Sequence, residues 1–302
     1  MDHVRTYKGI AALCLVIALA VGVTAAIGVF GRGDGTTAQG VSIRGERFEY
    51  ATTGVYAFNA ERVVAEGVGW DALTLFAAVP ALLVCGPFIA RGSLRARLVA
   101  AGVLAYFVYQ YLMYAVFWAL GPLFPAFIVL YPSSAAAIVW IVTTLDVRSL
   151  PARFSDRFPR RSIALFSSVM ALQLVAMWVP RIATGLSGDL AGAGLMGTPT
   201  LAVQALDLGI IVPLALTTAV LVWWRRPAGY LLAAVFSVKG VTMSGAIVAM
   251  LISAWIVEGS PEVPPLVVFS AATMVAGAIS FAIFGSAGGA GAQPARAGVA
   301  GS

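Results

Sequence analysis

The chain alternates long apolar stretches with short polar connections over most of its 302 residues. A helix that crosses about 30 Å of hydrocarbon needs about 20 consecutive apolar residues. Stretches of this length predict eight membrane-spanning helices, over residues 9–30, 71–90, 98–118, 123–145, 162–184, 201–223, 229–256 and 264–284. The third and fourth spans form one apolar run, which Gly121-Pro122 and Pro125 divide into a helical hairpin. The pattern therefore predicts an all-α integral membrane protein, a bundle of about eight transmembrane helices.

The composition agrees with a location in the membrane. Of the residues, 60% are hydrophobic and 11% are charged, and the mean hydropathy is +0.93. A soluble domain contains about 45–50% apolar and about 25% charged residues, so an ordinary soluble protein is excluded. We predict a single transmembrane domain over residues 1–284 and a disordered, Gly- and Ala-rich cytoplasmic tail over residues 285–302.

The basic residues indicate how the predicted helices are oriented. When the spans are drawn in alternation, most of the 19 Lys and Arg residues lie on the side of the N-terminus. These are Arg5, Lys8, Arg91, Arg95, Arg97, Arg148, Arg153, Arg157, Arg160, Arg161, Arg225, Arg226 and Arg296. Short basic loops stay on the cytoplasmic side, so we predict that both termini are cytoplasmic, in the inner membrane of a bacterium. The net charge of +6 is then explained by topology; the predicted partner is the lipid bilayer, and no nucleic acid is needed.

Residues 31–70 form the only long polar segment between predicted spans, and they face outward in this orientation. Apolar residues alternate beside the polar sequence 44–47, which predicts a small hairpin. The pattern over residues 59–66 predicts a short interfacial helix that Asn59 caps. Two roles are open for this loop: a cap over the helix ends, or a lid over a ligand site.

Histidine and cysteine are too few for several kinds of chemistry. The single histidine, His3, precedes the first apolar run, so bis-histidine haem ligation, a histidine-based zinc site and a histidine proton relay are excluded within one chain. Cys14 and Cys85 lie singly in apolar segments, which does not suit thiol–disulfide exchange or iron–sulfur ligation. No nucleotide-binding glycine motif occurs. We predict no catalytic residue, no metal site and no cofactor.

Two charged residues lie inside predicted spans, Asp207 in the sixth and Lys239 in the seventh. Each charge costs about 2.5–3.5 kcal/mol near the membrane centre when it is alone. The short connection between these spans makes them antiparallel neighbours. At a rise of about 1.5 Å per residue, Asp207 lies about 9 Å from the outer end and Lys239 about 15 Å from the inner end, so about 6 Å separates them along the membrane normal. We predict that the two charges neutralise each other and form an intramembrane site.

Other polar side chains fall near the middle of predicted spans, at depths close to that of the charged pair. The candidates for lining a common internal cavity are Gln110, Tyr111, Tyr114, Gln173, Gln204 and Thr242. Intramembrane ionisable residues commonly belong to ligand or ion pathways. Glutamines and small residues also hold helices together, so a packing role stays open for this group.

Six short sequences are distinctive: Gly69-Trp70-Asp71-Ala72-Leu73-Thr74-Leu75, Tyr109-Gln110-Tyr111-Leu112-Met113-Tyr114, Ala205-Leu206-Asp207-Leu208, Ile211-Val212-Pro213-Leu214, Arg226-Pro227-Ala228-Gly229-Tyr230 and Val238-Lys239-Gly240. In these pieces the chain resembles a group of polytopic bacterial membrane proteins that has no assigned function. The resemblance implies a multi-span inner-membrane fold. It implies no activity, substrate or cofactor.

Three classes of function are compatible with the sequence. The preferred hypothesis is binding or translocation of a small solute or ion at the internal site of Asp207 and Lys239, with the loop 31–70 as its outer cover. The alternative is a structural or assembly subunit of the membrane that has no small-molecule site. A membrane-embedded enzyme acting on lipid is less favoured, because the spans offer no histidine and no clustered carboxylates for acid–base chemistry.

Overall fold

Eight long helices dominate the part of the protein that the structure, a computed structural model, describes, which is residues 2–287. They are α1 (Asp2–Phe30), α2 (Glu61–Ala90), α3 (Leu94–Phe117), α4 (Phe124–Thr143), α5 (Arg160–Leu186), α6 (Ala202–Trp223), α7 (Pro227–Glu258) and α8 (Val263–Ser286). Each helix is long and apolar enough to cross a membrane. Over the described residues the predicted number of long apolar helices is confirmed, and it supports a multi-pass membrane protein.

The start of α2 differs from the sequence-based prediction. A span beginning at residue 71 and a separate interfacial helix over residues 59–66 were expected, but the structure joins both into one helix that begins at Glu61. Asn59 does not cap this helix, since its side chain bonds to two backbone groups outside it. The predicted start was wrong because the carboxylate of Asp71 is bonded inside the bundle and therefore does not end the span.

Two spanning helices contain a wider, π-helical turn. It covers Thr74–Ala78 in α2 and Asp207–Ile211 in α6. A Val-Pro pair follows at once in both helices, Val79-Pro80 and Val212-Pro213. The valine N–H bonds to the first carbonyl of the wide turn, and the proline after it has no N–H that needs an acceptor. Single turns of this kind often mark functional sites in helices.

Helix α7 lies at the centre of the contacts between helices. It packs against α2, α3, α6 and α8. Two glycines allow the close approaches: a Cβ on Gly69 of α2 would lie 2.3 Å from the backbone oxygen of Ala249, and one on Gly102 of α3 would lie 2.5 Å from the Cβ of Val238. Because α3 is also the most buried span, α3 and α7 together form the middle of the bundle.

Helix α8 packs mainly on α7. An open, mostly apolar groove of about 940 Å³ separates α8 from α2 and α3, with Arg95 among its few polar residues. Helix α8 ends at Ser286, so the first two residues of the predicted tail are helical. Residues 288–302, where the rest of that tail was predicted, lie outside the described residues.

The segment between α1 and α2 forms the predicted hairpin. Its antiparallel strands are β1 (Thr37–Val41) and β2 (Arg47–Ala51). In the turn, the hydroxyl oxygen of Ser42 accepts two backbone N–H groups, and Gly45 has a φ of +81°, which glycine adopts without steric strain. We call the side of the bundle that carries these strands the hairpin side.

Asp34 organises the chain just before the hairpin. Its carboxylate accepts hydrogen bonds from the hydroxyls of Thr36 and Thr53, at 2.5 and 2.6 Å, and from the backbone N–H of Thr36. These donors favour the ionised carboxylate, and they lower the pKa of Asp34 from its usual 3.8 to about 2. Asp34 is therefore ionised at neutral pH, and its Oδ1 holds Thr36 and Thr53 together.

Candidate intramembrane site

Two neutral donors hold the carboxylate of Asp207. The hydroxyl of Tyr109 donates to Oδ1 at 2.5 Å, and the indole N–H of Trp178 donates to Oδ2 at 2.8 Å. Tyr109 belongs to α3 and Trp178 to α5, so this one side chain of α6 joins three helices. Both carboxylate oxygens have a hydrogen-bond partner, and neither partner is a cation.

Lys239 lies close to Asp207 but does not pair with it directly. The residue is only 6% exposed, and its Nζ stands 4.5 Å from the centroid of the Tyr109 ring. Among the described residues, no carboxylate lies within ion-pair distance of this Nζ. The two charges therefore do not touch, and Tyr109 contacts both of them; their mutual neutralisation stays a prediction. We call Tyr109, Trp178, Asp207 and Lys239 the Lys239 site.

A cavity of about 60 Å³ lies beside Asp207 and Lys239. Its apolar walls consist of Phe166, Met170, Leu174, Ile211, Phe236, Met243, Ile247 and Phe269. A single water needs about 10–15 Å³ of such space, so the cavity has room for a few waters or one small ligand group. An ammonium group has three N–H donors and no acceptor; at Lys239 it can bind an acceptor placed in this cavity.

A second buried carboxylate, Asp71 in α2, was not predicted as part of any site. It is 0% exposed. Its oxygens accept hydrogen bonds from the amide of Gln110 at 3.1 Å, from the hydroxyl of Tyr114 at 3.2 Å and from the hydroxyl of Tyr56. The amide oxygen of Gln110 accepts in turn from the hydroxyl of Thr74 at 2.7 Å. We call these five residues the Asp71 network, which joins α2, α3 and the loop before α2.

The sequence contains a signal for the Asp71 network. Asp71 and Thr74 are three residues apart on α2, and Gln110 and Tyr114 are four apart on α3, so each pair shares one helix face. The signal was missed because the predicted span began at Asp71, which placed this residue at the end of the helix. Helix α1 closes the network at Gly28, where a Cβ would lie 1.9 Å from a carboxylate oxygen of Asp71.

The other predicted cavity residues lie in separate places. Gln204 lines a different cavity on the hairpin side. Thr242 lines the apolar groove beside α8, and its hydroxyl bonds to carbonyls of its own helix. Tyr111 is fully buried, and its hydroxyl has no partner among the described residues. Gln173 is half-buried on α5 and lines neither cavity. The six candidates therefore do not share one cavity.

The Lys239 site has the chemistry of a receptor for a small acceptor or anion. Its carboxylate is already bonded, while its ammonium group is available. No protein-family model, curated protein or solved structure matches the chain significantly. The function therefore has to be inferred from the chemistry of the site itself.

Proposed function

We propose that this is a protein of the bacterial cytoplasmic membrane that binds or translocates a small solute or ion at the Lys239 site. One observation carries the proposal: Lys239 is a buried ammonium that lines a cavity, and no described carboxylate is within ion-pair distance of it. A ligand with a negative charge or a hydrogen-bond acceptor supplies the partner that the protein does not.

An energetic comparison supports a role beyond packing. A buried charge without a hydrogen-bonded partner costs several kcal/mol, and a cation over an aromatic ring regains only about 0.5–2 kcal/mol. A methionine at position 239 would fill a similar volume without this cost. The amine is therefore not needed to fill this space. Its charge acts on the nearby carboxylate of Asp207, and it is also suited to holding a ligand.

A structural or assembly subunit is the second candidate, and the Asp71 network favours it. The donors and acceptors of that network are satisfied within the protein, as is typical of polar groups that hold membrane helices together. If the Lys239 site has the same role, it binds no ligand. The experiment below separates the two candidates.

We expect small anions to raise the thermal stability of the purified protein. The probes are the sodium salts of three inorganic anions, chloride, nitrate and phosphate, compared in detergent at equal ionic strength. A ligand at 100 times its Kd stabilises the folded state by about 2.7 kcal/mol, which raises Tm by several degrees. The shift of Tm with concentration is measured by the intrinsic fluorescence of the protein.

Lys239→Met is expected to abolish this shift while the protein stays folded, because Asp207 keeps both of its donors. The chain has one other lysine, Lys8, which is exposed, so Lys8→Met is a matched control that keeps the shift. If no anion of the panel raises Tm, or if Lys239→Met responds like the native protein, the binding proposal is refuted and the structural candidate is preferred.

The proposed orientation has its own test in intact cells. Ile43 is 88% exposed in the hairpin turn. The cysteine of Ile43→Cys is therefore expected to react with an impermeant thiol reagent in intact cells. Arg157→Cys, in the loop between α4 and α5, is expected to react only after the membrane is permeabilised. The native Cys14 and Cys85 are buried, which keeps the background low. Labelling of Arg157→Cys in intact cells would reverse the orientation.

A further inference from the structure

A second cavity adjoins the Lys239 site on the hairpin side. It has a volume of about 300 Å³ and lies between the end of α5 and the start of α6. Its apolar walls include Ile182, Leu186, Leu195, Leu201 and Leu208. Two of its polar side chains are Gln204 and Arg44, the latter from the hairpin turn.

Gln204 is a buried amide that the protein leaves without a partner. It is 5% exposed, and no described residue forms a hydrogen bond with its side chain. Asp71 occupies the matching position in α2: it precedes Thr74 by three residues, as Gln204 precedes Asp207, and a wide turn with a Val-Pro pair follows in both helices. The carboxylate of Asp71 is fully bonded within the protein. The amide of Gln204 is reached from the cavity and has no partner among the described residues, so it is free to bind a polar ligand there.

The hairpin places a cation at the same cavity. The carboxylate of Glu46 accepts the backbone N–H of Gly197 at 3.3 Å. The ring of Phe48 lies so close to Gly197 that a Cβ there would be 2.5 Å from it. These contacts hold the hairpin turn against the segment between α5 and α6. Arg44, in that turn, is exposed and lines the cavity.

Helix α5 lines both this cavity and the one beside Lys239. Along α5, Leu174 lines the cavity beside Lys239 and Ile182 lines the hairpin-side cavity. Trp178 lies midway between them, four residues from each, and donates to Asp207. The two cavities therefore follow one another along the same pair of helices, and Trp178 lies between them along α5.

We infer that the hairpin-side cavity is a binding site for a small organic carboxylate with an apolar body, which it holds before the ligand reaches Lys239. The inference rests on the proposed function. A guanidinium binds a carboxylate through two parallel hydrogen bonds, so Arg44 recognises the charge. The amide of Gln204 donates a further hydrogen bond, and the leucine and isoleucine walls cover the hydrocarbon part of the ligand.

Protection of a cysteine in the cavity tests this inference. Ala205 lines the cavity and is exposed, so Ala205→Cys, in a chain with Cys14→Ala and Cys85→Ala, is labelled with the neutral reagent N-ethylmaleimide. Butyrate is expected to slow the labelling at least threefold. Butyramide, which has the same shape and no charge, is expected to leave the rate unchanged. Arg44→Gln is expected to remove the effect of butyrate.

Val257→Cys is the control position, since Val257 lies on the hairpin side but lines a different cavity. Butyrate is expected to leave its labelling rate unchanged. Lys239→Met is expected to keep the protection at Ala205→Cys. If butyrate protects Ala205→Cys but chloride, nitrate and phosphate leave the Tm of the native protein unchanged, the proposed function is refuted and the carboxylate site still stands. The inference is overturned if butyrate gives no protection, if butyramide protects equally, or if protection survives Arg44→Gln.

Discussion

Asp71→Ala is expected to lower the free energy of unfolding by about 2–4 kcal/mol. The substitution removes the acceptor of three buried donors at once, from Gln110, Tyr114 and Tyr56. A buried donor without an acceptor costs about 1–3 kcal/mol in a soluble core, whereas hydrogen bonds between membrane helices average about 0.6 kcal/mol. Three losses of about 0.6–1.3 kcal/mol each, from the membrane average to the low end of the soluble range, give the stated total. Reversible unfolding in mixed micelles, followed by tryptophan fluorescence, measures the change.

Thr218→Val is the matched control for Asp71→Ala. Thr218 is also fully buried, but its hydroxyl bonds only to Leu214 of its own helix, so we expect a loss below about 1 kcal/mol. Asp71→Asn should fall between the two, because its amide keeps an acceptor for Gln110 and Tyr114 but presents N–H groups to the hydroxyl of Tyr56. A loss for Asp71→Ala no greater than that of the control would show that the network does not stabilise the bundle.

Gly69→Ala is expected to destabilise the protein by about 1–3 kcal/mol, the usual range when a packed core receives an extra carbon. The added Cβ would lie 2.3 Å from the backbone oxygen of Ala249 and 2.6 Å from its carbonyl carbon. Backbone atoms cannot rotate away as a side chain can, so α2 and α7 would have to separate. The same unfolding measurement in micelles detects the loss.

Gly86 provides an identical substitution in the same helix. A Cβ on Gly86 meets no atom within 4 Å, and alanine is the better helix former by about 1 kcal/mol. Gly86→Ala is therefore expected to leave stability unchanged or raise it slightly. Equal effects at both positions would mean that helix propensity, and not the contact between α2 and α7, decides the outcome.

These two substitutions separate stability from ligand binding. Asp71 and Gly69 both belong to α2, which contributes no residue to the Lys239 site. We therefore expect both variants to unfold more easily and still to show an anion-dependent rise of Tm. Lys239→Met is expected to stay folded and to lose the anion-dependent rise. The two buried carboxylates would then have different roles, Asp71 in packing and Asp207 beside the ligand.

The number of spanning helices could be predicted from the sequence because it depends on a local property. A membrane span must be apolar over its whole length and must satisfy its backbone hydrogen bonds within itself. Each of the eight apolar stretches meets this requirement on its own, so each can be identified without knowing the rest of the fold. The one large boundary error, at the start of α2, arose at Asp71, since an acidic residue is compatible with a span only when partners from other segments bind it.

The unusual character of Asp207 and Lys239 was likewise evident from the sequence, because the cost of a charge in the membrane depends on its depth and depth follows from position along a helix. Their contacts could not be predicted. Tyr109 stands between the two charges, Trp178 binds Asp207 and Gln110 turns towards Asp71 because of how the helices are rotated and placed around α3. Rotation and placement result from packing among all the helices, including glycine contacts such as that of Gly69 with α7, so only the tertiary structure decides which polar groups meet.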